Sequence, residues 1–457
     1  MTDERNNQAL VVGLGKTGLS CVRYLHAKGC QLRVVDSREN PPGLAEFKRD
    51  YPQIEFHGGD FNEADFISAS EIILSPGVTI NTPEIQAAIK QGVPCYGDVE
   101  IFARYATAPI VAVTGSNGKS TLVTLLAKMI EASGKRVGLG GNIGIPVLEL
   151  LSETEKNVVD YYVLELSSFQ LETTTSLNAF VSIILNVSAD HMDRYSSLQD
   201  YAHAKQRIYS GDGKLVINLD DEFAQTLLPP TLESHRKVLC YSVMHEADYS
   251  LCDNDNDEHK SLCIHDEPVM PLTELKMPGL HNVSNALAAL AIGEMLELEP
   301  IAMVSELQKF TGLMHRMQFV AEYNSHRWYN DSKGTNVGAT CAAVKGLQGK
   351  SVLIAGGEAK EADFSTLVNI LPDHVRAVVL IGRDADVIES AIDGQVTVVK
   401  ATDMHDAVKQ AAALVQEDDN VLLSPACASF DMFKGFEDRG NCYMQAVNEF
   451  IEVNGKS

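Results

Sequence analysis

Ile110-Val111-Ala112-Val113-Thr114-Gly115-Ser116-Asn117-Gly118-Lys119-Ser120-Thr121 is the stretch whose reading decides the fold. The apolar run Ile110 to Val113 reads as a short buried strand. Thr114 to Thr121 is a glycine-containing turn. Beyond it, Leu122, Leu125, Leu126, Met129 and Ile130 recur at helical spacing until Gly134 stops them. A strand, a glycine turn and a helix start place backbone N–H groups and a positive helix end around an anion. Lys119 offers a point charge to β- and γ-phosphates, and the Ser120 or Thr121 hydroxyl can meet Mg²⁺. The common phosphate-loop pattern has a glycine five residues before Gly118, where this chain has Val113. The loop is therefore a shorter variant. A turn that merely joins strand to helix would not require Lys119-Ser120-Thr121 in sequence.

Upstream, the strand Ala9 to Val12 leads into Gly13-Leu14-Gly15-Lys16-Thr17-Gly18. A helix follows with Leu19, Val22 and Leu25 on one face, and then a strand, Leu32 to Val35, that ends on Asp36. This G-x-G-x-x-G with a following acidic residue suits a dinucleotide or another nucleotide diphosphate. On its own it is weak, and a plain tight βα turn reads the same way. Ile72-Ile73-Leu74 continues the alternation until about Gly97. Downstream of the phosphate turn, buried-type strands read at Tyr162 to Leu166, Val181 to Leu185 and Leu215 to Ile217. The polar stretch Asp253 to Asp257 reads as a solvated loop or hairpin tip, and an Ala/Leu-rich helix spans roughly Val283 to Leu298. A last unit begins near Leu313. Its strands read at Val352-Leu353-Ile354, Val378 to Ile381, Val396 to Val399 and Val421-Leu422-Leu423, with a helix from Ala407 to Val415. Strands alternating with helices predict parallel doubly wound sheets.

The chain has 457 residues, more than one hydrophobic core organises, and about three domains are expected. The predicted boundaries are 1–97, 98–312 and 313–457. The opening Met1 to Gln8 lacks the charged start and apolar core of a secretory signal, and no run approaches the roughly 20 apolar residues of a membrane span. Nine cysteines without a C-x-x-C pair, an odd count, suit free thiols in a reducing cytoplasm. A formal net charge of −25 opposes non-specific binding to nucleic acid or an anionic membrane. Anionic ligands must then be held by local sites against an unfavourable overall field.

Seven segments appear in order along the chain. The phosphate turn comes first, then Gly140-Gly141-Asn142-Ile143-Gly144 and Glu165-Leu166-Ser167-Ser168-Phe169-Gln170-Leu171. Asn186 to Arg194 follows (Asn-Val-Ser-Ala-Asp-His-Met-Asp-Arg), and after it His281-Asn282-Val283-Ser284-Asn285-Ala286. The last two are His315-Arg316 and Asn330-Asp331-Ser332-Lys333-Gly334-Thr335-Asn336. Together they resemble the Mur ligase family, from Gly13 to about Gly440. Ser75-Pro76-Gly77, Gly356-Gly357 with Lys360, and Leu423 to Ser429 are similar to the family branch that adds D-glutamate. The D-N-P-R motif of the diaminopimelate-adding branch is absent.

The resemblance implies an α/β fold of three domains. The N-terminal one is Rossmann-like, the central one P-loop-ATPase-like, and the C-terminal one Rossmann-like. It also implies that the Gly13 loop binds UDP rather than NAD, with Gly15, Lys16, Thr17, Asp36, Ser37 and Arg38 on the UDP-sugar and Gly77 and Asn142 further along it. Gly115, Ser116, Asn117, Gly118, Lys119, Ser120 and Thr121 would hold the ATP phosphates. Asn282 and Asn285 would read adenine, while Arg316, Asp331 and Lys333 would approach ATP from the third domain. Glu165 is a strand-end carboxylate suited to Mg²⁺, a hard cation. His191 is a softer ligand than Mg²⁺ prefers, yet the resemblance places it on a second magnesium, with Asp190 and Asp193 either ligands or supports. Read alone, Lys205 is a surface lysine; the family has a carbamylated lysine there. Thr335, Lys360, Ser429 and Phe436 would take the amino acid.

The implied reaction is ATP-dependent amide formation on UDP-N-acetylmuramoyl-L-alanine by D-glutamate, through an acyl phosphate. Lys119, His191, Lys205 and Lys333 would be its catalytic groups, and ATP and two Mg²⁺ its cofactors. The expected protein is a cytoplasmic monomer acting on small molecules, without nucleic-acid or membrane partners. The rivals are a sister ligase or folylpolyglutamate-synthase-like enzyme, an NAD-dependent oxidoreductase resting on the Gly13 loop alone, and a non-catalytic nucleotide sensor. The last would have lost Lys119, Glu165 or Lys205, and all three are present.

Overall fold

In the computed structural model, which describes residues 8–155, 157–192, 194–229, 236–254, 257–359 and 362–455, the strands collect into three sheets. The first holds β1 (Ala9–Val12), β2 (Leu32–Asp36), β3 (Glu55–Gly58), β4 (Glu71–Leu74) and β5 (Cys95–Tyr96), all parallel, in the order β3-β2-β1-β4-β5. Every residue of β1 is buried, as the centre of a parallel sheet covered on both faces requires. The helix Lys16–Ala27 crosses from β1 to β2.

The second sheet contains β6 (Ile110–Thr114), β7 (Val137–Gly141), β8 (Tyr161–Glu165), β9 (Val181–Ile184), β10 (Lys214–Asn218), β11 (Val238–Tyr241), β12 (Tyr249–Asn254), β13 (Asp257–Ile264) and β14 (Glu267–Pro271). Its order is β14-β13-β12-β11-β10-β9-β6-β8-β7. β6 thus lies between β8 and β9, and the turns after all three strands open at one end. The helix Lys119–Ala132 packs against the apolar helix Leu280–Met295, which starts and ends three residues earlier than the sequence pattern suggests.

Two expectations need correction. β12, β13 and β14 form an antiparallel ribbon, so the sheet is not purely doubly wound; the polar hairpin tip lies between β12 and β13, with 255 and 256 outside the described residues. That ribbon also joins Cys252 to Cys263 in a disulfide, so the thiols are not all free; the other seven are. An antiparallel pairing of two cysteine-bearing strands brought them together, which an odd count cannot exclude.

The third sheet contains β15 (Gln318–Tyr323), β16 (His326–Asn330), β17 (Ser351–Gly356), β18 (Val375–Ile381), β19 (Thr397–Lys400) and β20 (Asn420–Leu423), ordered β15-β16-β20-β17-β18-β19. It is parallel except for the β15–β16 hairpin, which sequence reading missed. β15 is an edge strand with a half-exposed, mixed pattern, its short Phe319-Val320-Ala321 run flanked by Gln318 and Glu322. The helix predicted at Ala407 to Val415 is Met404–Leu414, capped by the Asp403 carboxylate on the Asp406 N–H.

Packing joins the first two sheets. One apolar core runs from Val11, Leu19 and Val22 through Val99 and Phe102 to Leu150 and Tyr162. Separate cores cover the two faces of the third sheet. Among the described residues, no helix is long and apolar enough to cross a membrane.

Candidate active site

The phosphate turn leaves β6 with Gly115 at φ 151° and enters its helix through Gly118 at φ 86°. Only glycine takes that left-handed step without strain, and a Cβ on Gly118 would also lie 2.7 Å from Asn285 Oδ1. The turn is held from the β9 side. Asn186 accepts from the Asn117 N–H (2.8 Å) and donates to the Asn117 carbonyl (3.1 Å). Ser116 Oγ donates to Ser188 O and accepts from Ser188 N, both at 2.9 Å.

Two lysines converge on this turn. Lys119 Nζ donates to the Gly115 and Ser116 carbonyls at 2.7 and 2.9 Å. Lys205 is not on the surface as its sequence context suggests. It is 1% exposed, donates to the Gly115 carbonyl at 3.0 Å, and lies 4.4 Å above the ring of Tyr201, one helical turn before it. Burial lowers the pKa of both amines, and Lys119 pushes that of Lys205 further down, well below an ordinary lysine.

Glu165 ends β8 with 2% of its surface exposed. One carboxylate oxygen accepts from Asn142 Nδ2 at 2.8 Å, and the other is buried without a protein partner. His191, at φ 57°, packs 4.8 Å from the ring of Phe169 and lies 3.9 Å from Asp190. An orphaned, buried carboxylate oxygen beside the strand end that feeds the phosphate turn is the donor a hard cation takes, so Glu165 fits Mg²⁺. Asp193 lies outside the described residues.

The third sheet closes over this turn. Arg316 donates to Ser120 Oγ at 2.7 Å. Asn336 donates to Asn117 Oδ1 at 3.3 Å and to Asp190 Oδ2 at 3.2 Å. Asp331, just past β16, accepts from Ser424 Oγ and the Met317 N–H, and burial pushes its pKa up to about 7. Lys333 stacks its ammonium 3.9 Å from the centre of the Phe436 ring; burial, then the neighbouring Arg316, bring its pKa down to about 8. A cavity of about 270 Å³ between the two units is lined by Asn117, Gly118, Asn282, Asn285, Asp331 and Lys333, among others. Thr121 and Arg316 also border it.

The first unit contributes a second cluster. Leu14 N donates to Asp36 at 2.7 Å, and Arg38 reaches the same carboxylate through its backbone N–H and its guanidinium. Burial alone would raise the pKa of Asp36, but the bonds from Arg38 and Leu14 outweigh it and hold the carboxyl below the usual range. Lys16 does not face its own loop; it donates to the Gly144 carbonyl of the second unit at 2.7 Å, two residues from Asn142. Gly15 and Gly77 have open space where a side chain would stand, and Thr17 is half-buried beside Gly15 while Ser37 is exposed.

Of the amino-acid candidates, Phe436 starts the last helix beneath Lys333, Thr335 follows Lys333 by two residues, and Ser429 is 2% exposed in the turn after β20. Lys360 lies outside the described residues. Sequence reading missed Asn186, Tyr201 and Arg439 as supports, and quoted Asn336 without a role. Arg439 is fully buried and donates to Ser332 Oγ (3.0 Å), Ser332 O (2.8 Å) and Cys427 O (3.1 Å), tying the Lys333 turn to the Ser429 turn. An arginine inside an otherwise apolar helix face was the one available signal.

Three family descriptions match the chain in order: "Mur ligase MurD-like, N-terminal domain" over residues 7–97, "Mur ligase middle domain" over 113–293, and "Mur ligase, glutamate ligase domain" over 315–427. The chain is 48% identical to the UDP-N-acetylmuramoylalanine–D-glutamate ligase of Pseudomonas savastanoi pv. phaseolicola, across 96% of this chain and 97% of that one. It is 47% identical to the protein of the same name from Nitrosococcus oceani, across 97% of each. Among solved structures it is similar to a pseudomurein peptide ligase type C from Methanothermus fervidus, with 19% identity, a TM-score of 0.61, and 97% of this chain and 100% of that one covered. The MurF ligase of Thermotoga maritima in complex with ADP has 15% identity and a TM-score of 0.61 over 98% and 96% of the two chains. These last two likenesses concern the fold.

Proposed function

The chain belongs to the Mur ligase family, and from that premise we propose that it joins D-glutamate to UDP-N-acetylmuramoyl-L-alanine while ATP is cleaved to ADP and phosphate, a step of peptidoglycan precursor synthesis. One observation carries the reading: Asn117 and Gly118 of the phosphate turn, Asn282 and Asn285, and the Arg316, Asp331 and Lys333 group line one cavity. The substrate's terminal carboxylate attacks the γ-phosphorus, and ADP leaves. The amine of D-glutamate then attacks the acyl phosphate carbonyl, and the tetrahedral intermediate expels phosphate. Positioning and charge neutralisation supply most of the acceleration in such chemistry.

The proposed division of labour follows residues 1–97, 98–312 and 313–457. Gly15, Lys16, Thr17, Asp36, Ser37, Arg38, Gly77 and Asn142 receive the UDP-substrate. The Gly115 to Thr121 turn, Asn282, Asn285, Arg316 and Asp331 receive ATP. Thr335, Lys360, Ser429 and Phe436 receive D-glutamate. Ser120, Glu165, His191 and modified Lys205 would hold Mg²⁺, which would supply positive charge to neutralise the phosphates. Lys119 and Lys333 add protein cations to the same phosphates. The enzyme works as a cytoplasmic monomer.

Carbamylation of Lys205 is supported by its burial. Burial, and then the charge of Lys119, push the pKa of this amine well down and favour its neutral form, whose nitrogen lone pair can attack the carbon of CO₂. Loss of one N–H proton then leaves an anionic carbamate beside Lys119. The modification thus sets an opposite charge against the Lys119 ammonium.

Phosphate release measured with UDP-N-acetylmuramoyl-L-alanine and a panel of D- and L-amino acids tests the assignment. D-glutamate should stimulate release well above every other member. Preference for another amino acid would transfer the chain to a sister activity.

A further inference from the structure

Arg194 sits where two ligand loops from different sheets meet, and its contacts are unlike those of a surface arginine. Its Nη1 donates to the Pro76 carbonyl at 2.6 Å, and its Nη2 to the Val78 carbonyl at 3.4 Å and to Glu172 at 2.8 Å. The guanidinium lies 4.0 Å over the Phe169 ring, which also neighbours His191 at 4.8 Å and Tyr195 at 6.0 Å. The side chains of Arg194 and Glu172 are 14% and 15% exposed. The backbone N–H of Arg194 donates to the His191 carbonyl at 2.9 Å. Pro76 and Val78 flank Gly77 in the turn after β4, and Ser75 of that turn donates to the Gly13 carbonyl at 2.9 Å. An unbroken set of contacts therefore runs from the Gly13 turn, through Ser75 to Val78 and Arg194, to the His191 loop.

We propose that Arg194 is a positioning residue that couples occupation of the UDP-substrate loop to the placement of the His191 loop. The inference rests on the functional reading above, because it takes the first loop as the UDP-substrate's and the second as bordering ATP. The two units do not depend on this contact to stay docked. They share the apolar core that runs from Val11, Leu19 and Val22 of the first unit to Leu150 and Tyr162 of the second. Arg23 also pairs with Glu149, and Lys28 with Glu155 at 2.7 Å, across the two units. What Arg194 joins is loop to loop. Its planar fork serves two carbonyls and a carboxylate while its face stacks on Phe169, a combination a lysine cannot reproduce. A ligand that orders one loop then orders the other, and such coupling is reciprocal.

Calorimetry on the full chain tests this with UDP-N-acetylmuramoyl-L-alanine and a non-hydrolysable Mg–ATP analogue, each titrated with and without the other. The wild type should show mutual tightening within the usual range of about 5- to 150-fold. In Arg194→Ala the factor should fall to near one while each ligand alone binds within about threefold of wild type, and kcat should drop more than either KM. Arg194→Lys, which keeps the Glu172 pair, and Glu172→Gln should fall between, and they carry the test if Arg194→Ala folds poorly. A wild-type coupling factor of one, or a wild-type factor retained in Arg194→Lys and Arg194→Ala, overturns the proposal. Neither titrated ligand contains the amino acid. Preference for another amino acid would therefore overturn the reading of the reaction and leave this measurement standing.

Discussion

Lys205 and Lys119 direct their ammonium groups at one carbonyl, that of Gly115, inside a region largely closed to water. Burial first, and then the like charge of Lys119, push the pKa of the Lys205 amine well down. Lys205→Arg should therefore lose activity by more than a hundredfold, because a guanidinium stays protonated, cannot take up CO₂ and repels magnesium. Removing CO₂ from the wild type should lower phosphate release, and bicarbonate should restore it. Full activity in Lys205→Arg would exclude the carbamate. Lys333 poses a different question of charge. Its pKa near 8 means that the free enzyme loses this cation as pH rises through 8, so kcat/KM for ATP should decline on an alkaline limb near that value. Lys333→Arg should shift the limb upward. The same depression acts on stability. Between about 8 and the ordinary 10.5 the unfolded chain binds more protons at this group than the folded one, so its contribution to stability rises with pH across that window. A limb unmoved in Lys333→Arg would assign the ionisation to another group.

At the scale of elements, strand–turn–helix units carry the ligand loops, and their turns tolerate little. In the helix Lys16–Ala27, a Cβ on Gly18 would stand 1.8 Å from the Gly13 carbonyl, whereas one on Gly15 would meet nothing within 4 Å. The two glycines of one motif thus serve different ends: Gly18 admits close helix-to-turn packing, and Gly15 leaves the turn open to a ligand. Gly18→Ala should cost on the order of 1–3 kcal/mol through overpacking, seen as a lower melting temperature. It should also weaken UDP-substrate binding with little effect on the ATP analogue. Gly15→Ala should melt within a degree or so of the wild type. Equal melting of the two variants would show that the helix can slide away from Gly13.

The whole molecule divides unevenly. One core spans the first two sheets, while the third sheet has its own apolar layers and meets the rest largely through polar contacts such as Arg316–Ser120 and Asn336–Asn117. The chain's one tryptophan, Trp328, is 1% exposed on β16 within that third unit. Its fluorescence during urea unfolding should therefore report a transition that does not coincide with far-UV ellipticity, since chains of several domains depart from two-state behaviour. Superimposable curves would show that the polar contacts bind the three units into one cooperative block.

What was legible in the sequence follows the range of the interactions involved. β1, β6, β17 and β20 are continuous apolar runs, and the phosphate turn needs its glycines for backbone reasons that span a few residues, so composition and spacing determined them. Family resemblance added named roles for residues such as Glu165 and Lys205. The half-exposed edge strand β15 has only Phe319-Val320-Ala321 between Gln318 and Glu322 and was not read as a strand. The Cys252–Cys263 pair depended on a strand register that spacing cannot supply. Only the tertiary structure decided that Lys205 is buried, that Lys16 reaches Gly144, and that Arg316 lies on Ser120 across 196 residues. The physical reason is that a turn or helix is stabilised by neighbours along the chain. The meeting of two distant side chains is set instead by how whole layers pack, a sum over many small apolar contacts that no local pattern records.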